Sequence, residues 1–285
     1  MKTHSANHGS VKQWLLCGAF ALLSAPSFAA GTWALDSGCN NSTSIGNTLT
    51  CGSAGGTTLN AQAYSTGTGT VAAPTTGTAF AAANVRNWGS GLGLGVVSVN
   101  EDATSPTHTA DNQNGTDLIL LSFGSAVNIT SLTLGYWASD ADITVLAYTG
   151  AGTPTITGKT LTGTSVGQAT NSTTLNAANG WTSVKNYGTA GTTTATNTGG
   201  TGTDVTYNTT DSTTYSSWWL ISAYNSGYGG GAMDAINDFV KLLSVAANVK
   251  TTTSKVPEPG SLALMGAGLL GILGTSRRRK AAVSV

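Results

Sequence analysis

The sequence predicts an all-β domain, an antiparallel β-sandwich, flanked by two ends of different composition. Charged residues make up only 8% of the chain, although a helical domain of this size normally contains many Glu, Lys, Arg and Leu residues. Thr and aromatic residues, which favour strands, are interspersed with Gly and Asn, which favour turns. The simplest architecture for such a chain is a twisted sandwich with flexible Thr/Gly-rich loops, and a jelly roll is one possible topology.

Five segments have the pattern of strands, either alternating or continuously apolar. They are 118–123, 128–136, 142–148, 218–224 and 239–245. The segment 218–224 is apolar on both faces, as in a central strand that is covered from two sides. Residues 52–78 and 189–203 are poor in large apolar residues, so we expect mobile surface loops or edge strands that do not anchor the core. Their Thr hydroxyls are either sites for O-glycosylation or simply solvated.

The N-terminus has the three parts of a secretory signal peptide. Positive charge comes first, an apolar run follows at 14–23, and small residues stand three and one before Ala30. We expect signal peptidase of the Sec pathway to cut between Ala29 and Ala30. Residues 1–29 then form a cleavable signal helix, because the apolar run is shorter than the roughly 20 residues of a permanent span.

The C-terminus has a second, more specific pattern. Pro257, Glu258 and Pro259 are followed by an apolar segment at 261–274, and a basic cluster comes next: Arg277, Arg278, Arg279 and Lys280. Two prolines cannot continue a helix, so a short hydrophobic helix begins after Pro259. This helix is long enough only for a thin or compressed bilayer. The four cations stay cytoplasmic under the positive-inside rule, which holds the body outside the inner membrane.

The Pro-Glu-Pro element, apolar helix and Arg cluster at 257–285 resemble the PEP-CTERM sorting signal. The resemblance implies an exosortase, a membrane cysteine protease of Gram-negative bacteria, that cuts near Pro-Glu-Pro. It also implies a transient inner-membrane tether, then release to, or attachment at, the cell surface. The predicted organisation is a signal peptide at 1–29, a β-sandwich surface domain at 30–255 and a sorting signal at 256–285. An ordinary C-terminal anchor with a proline-rich hinge is the alternative.

Parts of the body also resemble a family of exosortase-dependent surface proteins. The similar segments are Trp-Ala-Leu-Asp-Ser at 33–37 and the stretches 140–148, 219–225 and 238–242. That family has no established activity, so the resemblance implies export and leaves the molecular mechanism open.

The charge of the body excludes some partners. Between residues 30 and 256 there are eleven acids and six bases, a formal net charge of −5, although the whole chain is neutral. An acidic surface argues against nucleic acid and anionic lipid as partners.

Two cysteines remain once the signal peptide is removed, Cys39 and Cys51. An even count in an oxidising exterior favours a disulfide, which is worth about 3 kcal/mol for a loop of this length in the chain-entropy model. A metal site would need further soft ligands, and none lie nearby in the sequence.

Residues for catalysis are scarce in the body. His108 is its one histidine, and the polar context of 104–109 predicts a solvated loop position. No G-x-S-x-G element stands near a predicted strand end. We therefore expect no catalytic residue and no bound cofactor: a non-enzymatic surface or extracellular-matrix protein, associated with biofilm or envelope, with surface polysaccharide as a further partner.

Two alternatives rest on particular residues. Asp140 and Asp142 share a side of the chain just before a predicted strand, and the other acidic pair is Glu101 with Asp102. Three interpretations of Asp140 and Asp142 are open. They cap a turn by accepting hydrogen bonds from backbone N–H groups, they bind a Ca²⁺ ion at a sandwich edge, or they are the acid pair of a glycan hydrolase. A carbohydrate-binding module is also open, since exposed aromatic rings stack on sugars. The candidates are Trp88, Trp137, Trp181, Trp218 and Trp219.

Overall fold

A computed structural model describes residues 29–104, 106–160, 174–188, 204–209, 211, 213–228, 237–250 and 265–270. Within them lie the strands β1 Ala29–Ala34, β2 Thr48–Ala54, β3 Thr57–Thr70, β4 Ala73–Asn87, β5 Leu94–Val97, β6 Ala110–Asp111, β7 Asp117–Ser139, β8 Ile143–Tyr148, β9 Trp181–Tyr187, β10 Val205–Asn208, β11 Ser216–Ala223 and β12 Asp238–Val249. Helix α1 is Leu35–Gly38, and helix α2 is 265–270. Single 3-10 turns lie at Ala177–Asn179 and Ser226–Tyr228.

The pairings between these strands are antiparallel, which confirms the predicted all-β antiparallel fold. Strand β7 organises the sheet because its 23 residues pass from one half to the other. Its first part pairs with β3 and β11, and its second part pairs with β10 and β12. From β12 the sheet continues through β5 and β4 back to β3, so the ladder closes into a ring. The two halves share one core.

That main core takes side chains from both parts of β7. Ile119, Leu121 and Phe123 from the first part lie in the same buried cluster as Leu134 from the second. Trp33 on β1 meets Phe123 edge to face, with ring centroids 5.1 Å apart. Full burial of one such side chain is worth about 1.5–3 kcal/mol. Packing in this cluster therefore holds both parts of β7 against one core.

The alternate side chains of β7 form a second cluster on the opposite face. Leu118 and Leu120 pack there with Leu220 of β11 and with Trp181 of β9. Residues outside the sheet cover this face, among them Ile156 and Leu175. Strand β11 is thus buried on both sides, as its apolar sequence predicts.

The sequence prediction differs from the structure in two parts of the sheet. Segments 118–123 and 128–136 are one strand, since the small residues between them stay extended and Gly124 packs closely on Thr58. Residues 52–78 hold β3, the end of β2 and the start of β4, and the expectation that they do not anchor the core is wrong. Leu59, Ala61 and Ala63 of β3 are buried in the main core. Alanines at alternate positions fill the space beside β7 without forming a conspicuous apolar run.

The two ends of the body lie side by side. Strand β1 pairs with β12 so that Ala29 is opposite Val249 and Ala34 is opposite Ser244. The predicted cut between Ala29 and Ala30 would remove one residue of β1 and leave the rest of the ladder. The start of β1, which follows the predicted signal peptide, and the end of β12, which precedes the predicted sorting tail, are therefore neighbours in the sheet.

The disulfide prediction is confirmed, because Cys39 at the end of α1 is bonded to Cys51 on β2. Helix α2 matches the predicted short C-terminal helix. None of the described helices combines the length and hydropathy needed to cross a bilayer. The expectations for 1–28, for 189–203, for Pro257–Pro259 and for the basic cluster concern residues outside the described part of the chain.

Candidate metal centre

Asp140 and Asp142 lie in the short link between β7 and β8. Ser139, the last residue of β7, has a φ of 60°, a left-handed conformation that non-glycine residues adopt rarely. Asp140 then forms a bridge with Asp238, the first residue of β12. The side chains of Asp140 and Asp142 are buried, at 0% and 1% exposure.

Asp238 completes an acidic trio. One carboxylate oxygen from each of Asp140, Asp142 and Asp238 lies within 4.8 Å of the other two. Asp238 is itself only 1% exposed. The structure thus brings the predicted pair together and adds a third acid that is 96 residues from Asp142 in the sequence.

Hydrogen bonds hold this trio in place. The Asp142 N–H donates to Asp238 Oδ1 at 3.0 Å, and Asn112 Nδ2 donates to Asp238 Oδ2 at 2.8 Å. Asn112 Oδ1 accepts from the Asp238 N–H at 2.8 Å, so the Asn112 amide binds both the backbone and the carboxylate of Asp238. Asp140 Oδ1 accepts from the N–H of the next residue at 2.6 Å, which is the turn-capping contact expected of this acid.

The surroundings tighten the site further. The Tyr207 O–H donates to the carbonyl of Ala141 at 2.9 Å, which ties the link to β10. The Asp142 carboxylate occupies the space that a side chain at Gly188 would fill. The backbone and side chains around the three acids therefore leave little freedom for the carboxylates to separate.

Electrostatics in the trio are unfavourable for three ionised acids. Burial, followed by the charges of Asp142 and Asp140, raises the pKa of Asp238 to about 8. Burial and the same three acids also raise the pKa of Tyr207. Carboxylates that repel one another in a dry site bind either protons or a cation. The donors are all oxygen, the ligand type that Ca²⁺ and Mg²⁺ prefer.

The sequence analysis missed Asp238, although a signal for it exists. Asp117, Asp142 and Asp238 each stand directly before an apolar run that forms a strand. Antiparallel pairing of β7 with β12 then sets Asp238 opposite Ser139, next to the β7–β8 link. An acid at a strand start is therefore a candidate ligand only once the partner strand is known.

His108 is buried, and so are three of the five tryptophans considered for sugar stacking. The expectation of a solvated His108 is wrong: it is 9% exposed, and its ring centroid lies 4.1 Å from that of Trp88. Burial and the nearby charge of Lys241 lower its pKa to about 4. Trp88 and Trp218 are half-buried, and three are buried: Trp137, Trp181 and Trp219.

The comparison with protein families finds the PEP-CTERM protein-sorting motif at residues 255–280. The match contains Pro257, Glu258 and Pro259 and the basic cluster, and it confirms the resemblance drawn from the sequence. The motif implies export and membrane-associated processing by an exosortase. The comparison with curated proteins finds no match, and neither does the comparison with solved structures.

Proposed function

We propose that this chain is a non-enzymatic surface or matrix protein that an exosortase delivers to the cell exterior. The observation that carries the proposal is the sorting motif at 255–280, which begins six residues after β12 ends at Val249. The first and last strands of the body pair with each other. In this proposal the folded body is connected to the membrane through the sorting tail alone, and cleavage of the tail releases the body intact.

The burial of the acids supports a non-enzymatic role. A glycan hydrolase needs two carboxyl groups that flank a glycosidic bond in an open cleft. Asp140, Asp142 and Asp238 are at most 1% exposed, so a sugar ring does not reach them. His108, packed between Trp88 and Tyr136, is equally unsuited to act as a base on an external substrate.

The test of exosortase delivery is intact-mass analysis of the protein from cells with and without exosortase. We expect the mature mass to lack 277–285 in normal cells and to retain it without the protease. Glu258→Gln should also retain the tail, because it removes the charge between the two prolines. Asp204→Asn, which removes one negative charge from an exposed position of the body, is the matched control and should be processed normally. A mature mass that retains the tail in normal cells would refute the proposal.

A second candidate function is calcium binding at Asp140, Asp142 and Asp238. The observation that favours it is the convergence of the three carboxylates within 4.8 Å. Calcium would replace the protons that this trio otherwise takes up, and extracellular calcium sites work at roughly 10⁻⁴–10⁻³ M. The purified protein should then melt at a higher temperature in Ca²⁺ than in EDTA, and Asp140→Asn should reduce this difference. Equal melting temperatures for the wild type in Ca²⁺ and in EDTA would exclude the site.

A further inference from the structure

A second group of three buried acids lies near the trio of Asp140, Asp142 and Asp238. Strand β6 connects the two groups, because Asp111 at its end is paired with Phe239, the residue after Asp238. Glu101 comes from the loop after β5, Asp111 ends β6, and Asp117 begins β7. One carboxylate oxygen from each lies within 4.8 Å of the other two. The three side chains are 8%, 0% and 1% exposed. The sequence analysis singled out only Glu101, as a partner of the exposed Asp102.

Two of these acids are oriented by the backbone around them. Glu101 Oε2 accepts from the Ser98 N–H at 3.0 Å, which folds the loop back onto the end of β5. Asp111 Oδ1 accepts from the Gln113 N–H at 2.9 Å. Asp111 Oδ2 also accepts from the Thr109 hydroxyl at 3.3 Å, but a carboxylate oxygen has two lone pairs, so both acids keep coordination capacity.

Asp117 differs, since neither of its carboxylate oxygens has a hydrogen-bond partner in the described part of the chain. The Ser65 hydroxyl and the Asp111 amide lie near enough to lower its pKa, but neither reaches hydrogen-bond geometry. Burial and the charges of Glu101 and Asp111 outweigh them and raise the pKa of Asp117 well above its usual range. A buried carboxylate without partners destabilises the folded protein if it is ionised and nothing compensates its charge.

An open cleft borders this group at Glu101. Its volume is about 200 Å³, and its lining includes Asn100, Glu101, Asp102 and Asn114. Glu101 therefore belongs both to the cleft and to the buried trio. The polar lining offers a hydrated ion an entry path and further oxygen atoms, which a Ca²⁺ ion with six to eight ligands requires.

We propose that Glu101, Asp111 and Asp117 form a calcium site, separate from the trio at Asp140 and entered through the cleft. Asp117 supplies two oxygens that no group in the described part of the chain bonds, and Glu101 and Asp111 supply ligands already held in position. The bound ion joins the loop after β5 to the starts of β6 and β7. Calcium at extracellular concentration would fix this region once the protein has left the cell.

The test is calorimetric titration of Ca²⁺ into the purified full chain after EDTA treatment. Asp117→Asn should bind one calcium fewer than the wild type, and Glu101→Gln, a second variant in case Asp117→Asn does not fold, should do the same. Asp204→Asn is the control, because Asp204 is an exposed acid that belongs to neither trio and does not line the cleft. Its stoichiometry should equal that of the wild type.

The outcomes separate this site from the one at Asp140. If both sites bind, the wild type takes two ions, and Asp117→Asn and Asp140→Asn each take one. If only the present site binds, the wild type takes one ion and Asp117→Asn takes none. If folded Asp117→Asn and Glu101→Gln keep the wild-type stoichiometry, the proposal is wrong. Infrared spectroscopy gives an independent readout, since the protonated carboxyl band seen in EDTA should shrink in Ca²⁺ for the wild type and less for Asp117→Asn.

Discussion

The metal-free protein provides a sharp prediction about Asp238. Burial beside Asp142 and Asp140 raises the pKa of Asp238 from its usual 3.8 to about 8. Between these two values the folded state holds a proton that the unfolded state has released. The free energy of unfolding therefore falls as the pH rises through this window. Asp238→Asn should remove this contribution, because an amide does not titrate.

The magnitude follows from the shift. One pKa unit corresponds to about 1.4 kcal/mol, so over about three pH units the contribution of Asp238 changes by at most about 4 kcal/mol, since its acidic neighbours share the proton. The amide keeps one oxygen for the Asp142 N–H but loses the acceptor that faces Asn112, at a cost of about 1 kcal/mol. Relative to the wild type, the variant should gain stability steadily from about pH 5 to about pH 8.

Two buried bases act in the opposite direction and must be separated from this effect. Burial, with the charge of Lys241, lowers the pKa of His108 to about 4, and burial lowers that of Lys241 to about 7. Each is a group that the unfolded state protonates more readily, so each raises stability as the pH rises through its own window. The difference between the variant and the wild type cancels both contributions.

The assay is urea unfolding in EDTA, followed by tryptophan fluorescence at several values between about pH 5 and about pH 8. Asp211→Asn is the control. Burial alone would raise the pKa of Asp211, but hydrogen bonds from Thr214 and Thr213 outweigh it and lower the pKa. This acid is ionised in both states throughout the range, so the difference between the control and the wild type should stay constant. A constant difference for Asp238→Asn as well would refute the reasoning.

Two further predictions concern the scaffold. Replacing both Cys39 and Cys51 by Ser should lower the free energy of unfolding by about 3 kcal/mol in the chain-entropy model, and urea curves that coincide with the wild type would contradict it. Gly93→Ala should fail to fold or melt far below the wild type, because a Cβ at this position would lie 2.1 Å from the Leu242 carbonyl oxygen, with φ at +89°. Gly91→Ala, with φ at +78° and nothing within 4 Å, should cost only about 1–2 kcal/mol; equal melting temperatures for the two variants would show that the overlap is absent.

The candidate site was predictable only in part. Asp140 and Asp142 are two residues apart, so their common side follows from the local chain. Asp238 joins them because β7 and β12 pair in one particular register. Asp117 and Asp111 likewise meet only where the starts of β7 and β6 come together. A one-residue change of register would turn such side chains to the other face, and no local pattern specifies the register between distant strands.

Composition and local pattern by themselves determined the strand class, the disulfide partners and the sorting motif. The strand class and the sorting motif depend on residue types close together in the chain. The disulfide partners follow because the body between the two predicted signals contains only two cysteines. Tertiary structure decided that β7 is continuous, that β3 lies inside the sheet and that His108 is buried against Trp88. It also decided that six acids are buried in two trios. The physical reason is that burial and charge repulsion depend on which strands are neighbours, and the closure of the sheet through β7 and β12 sets those neighbours.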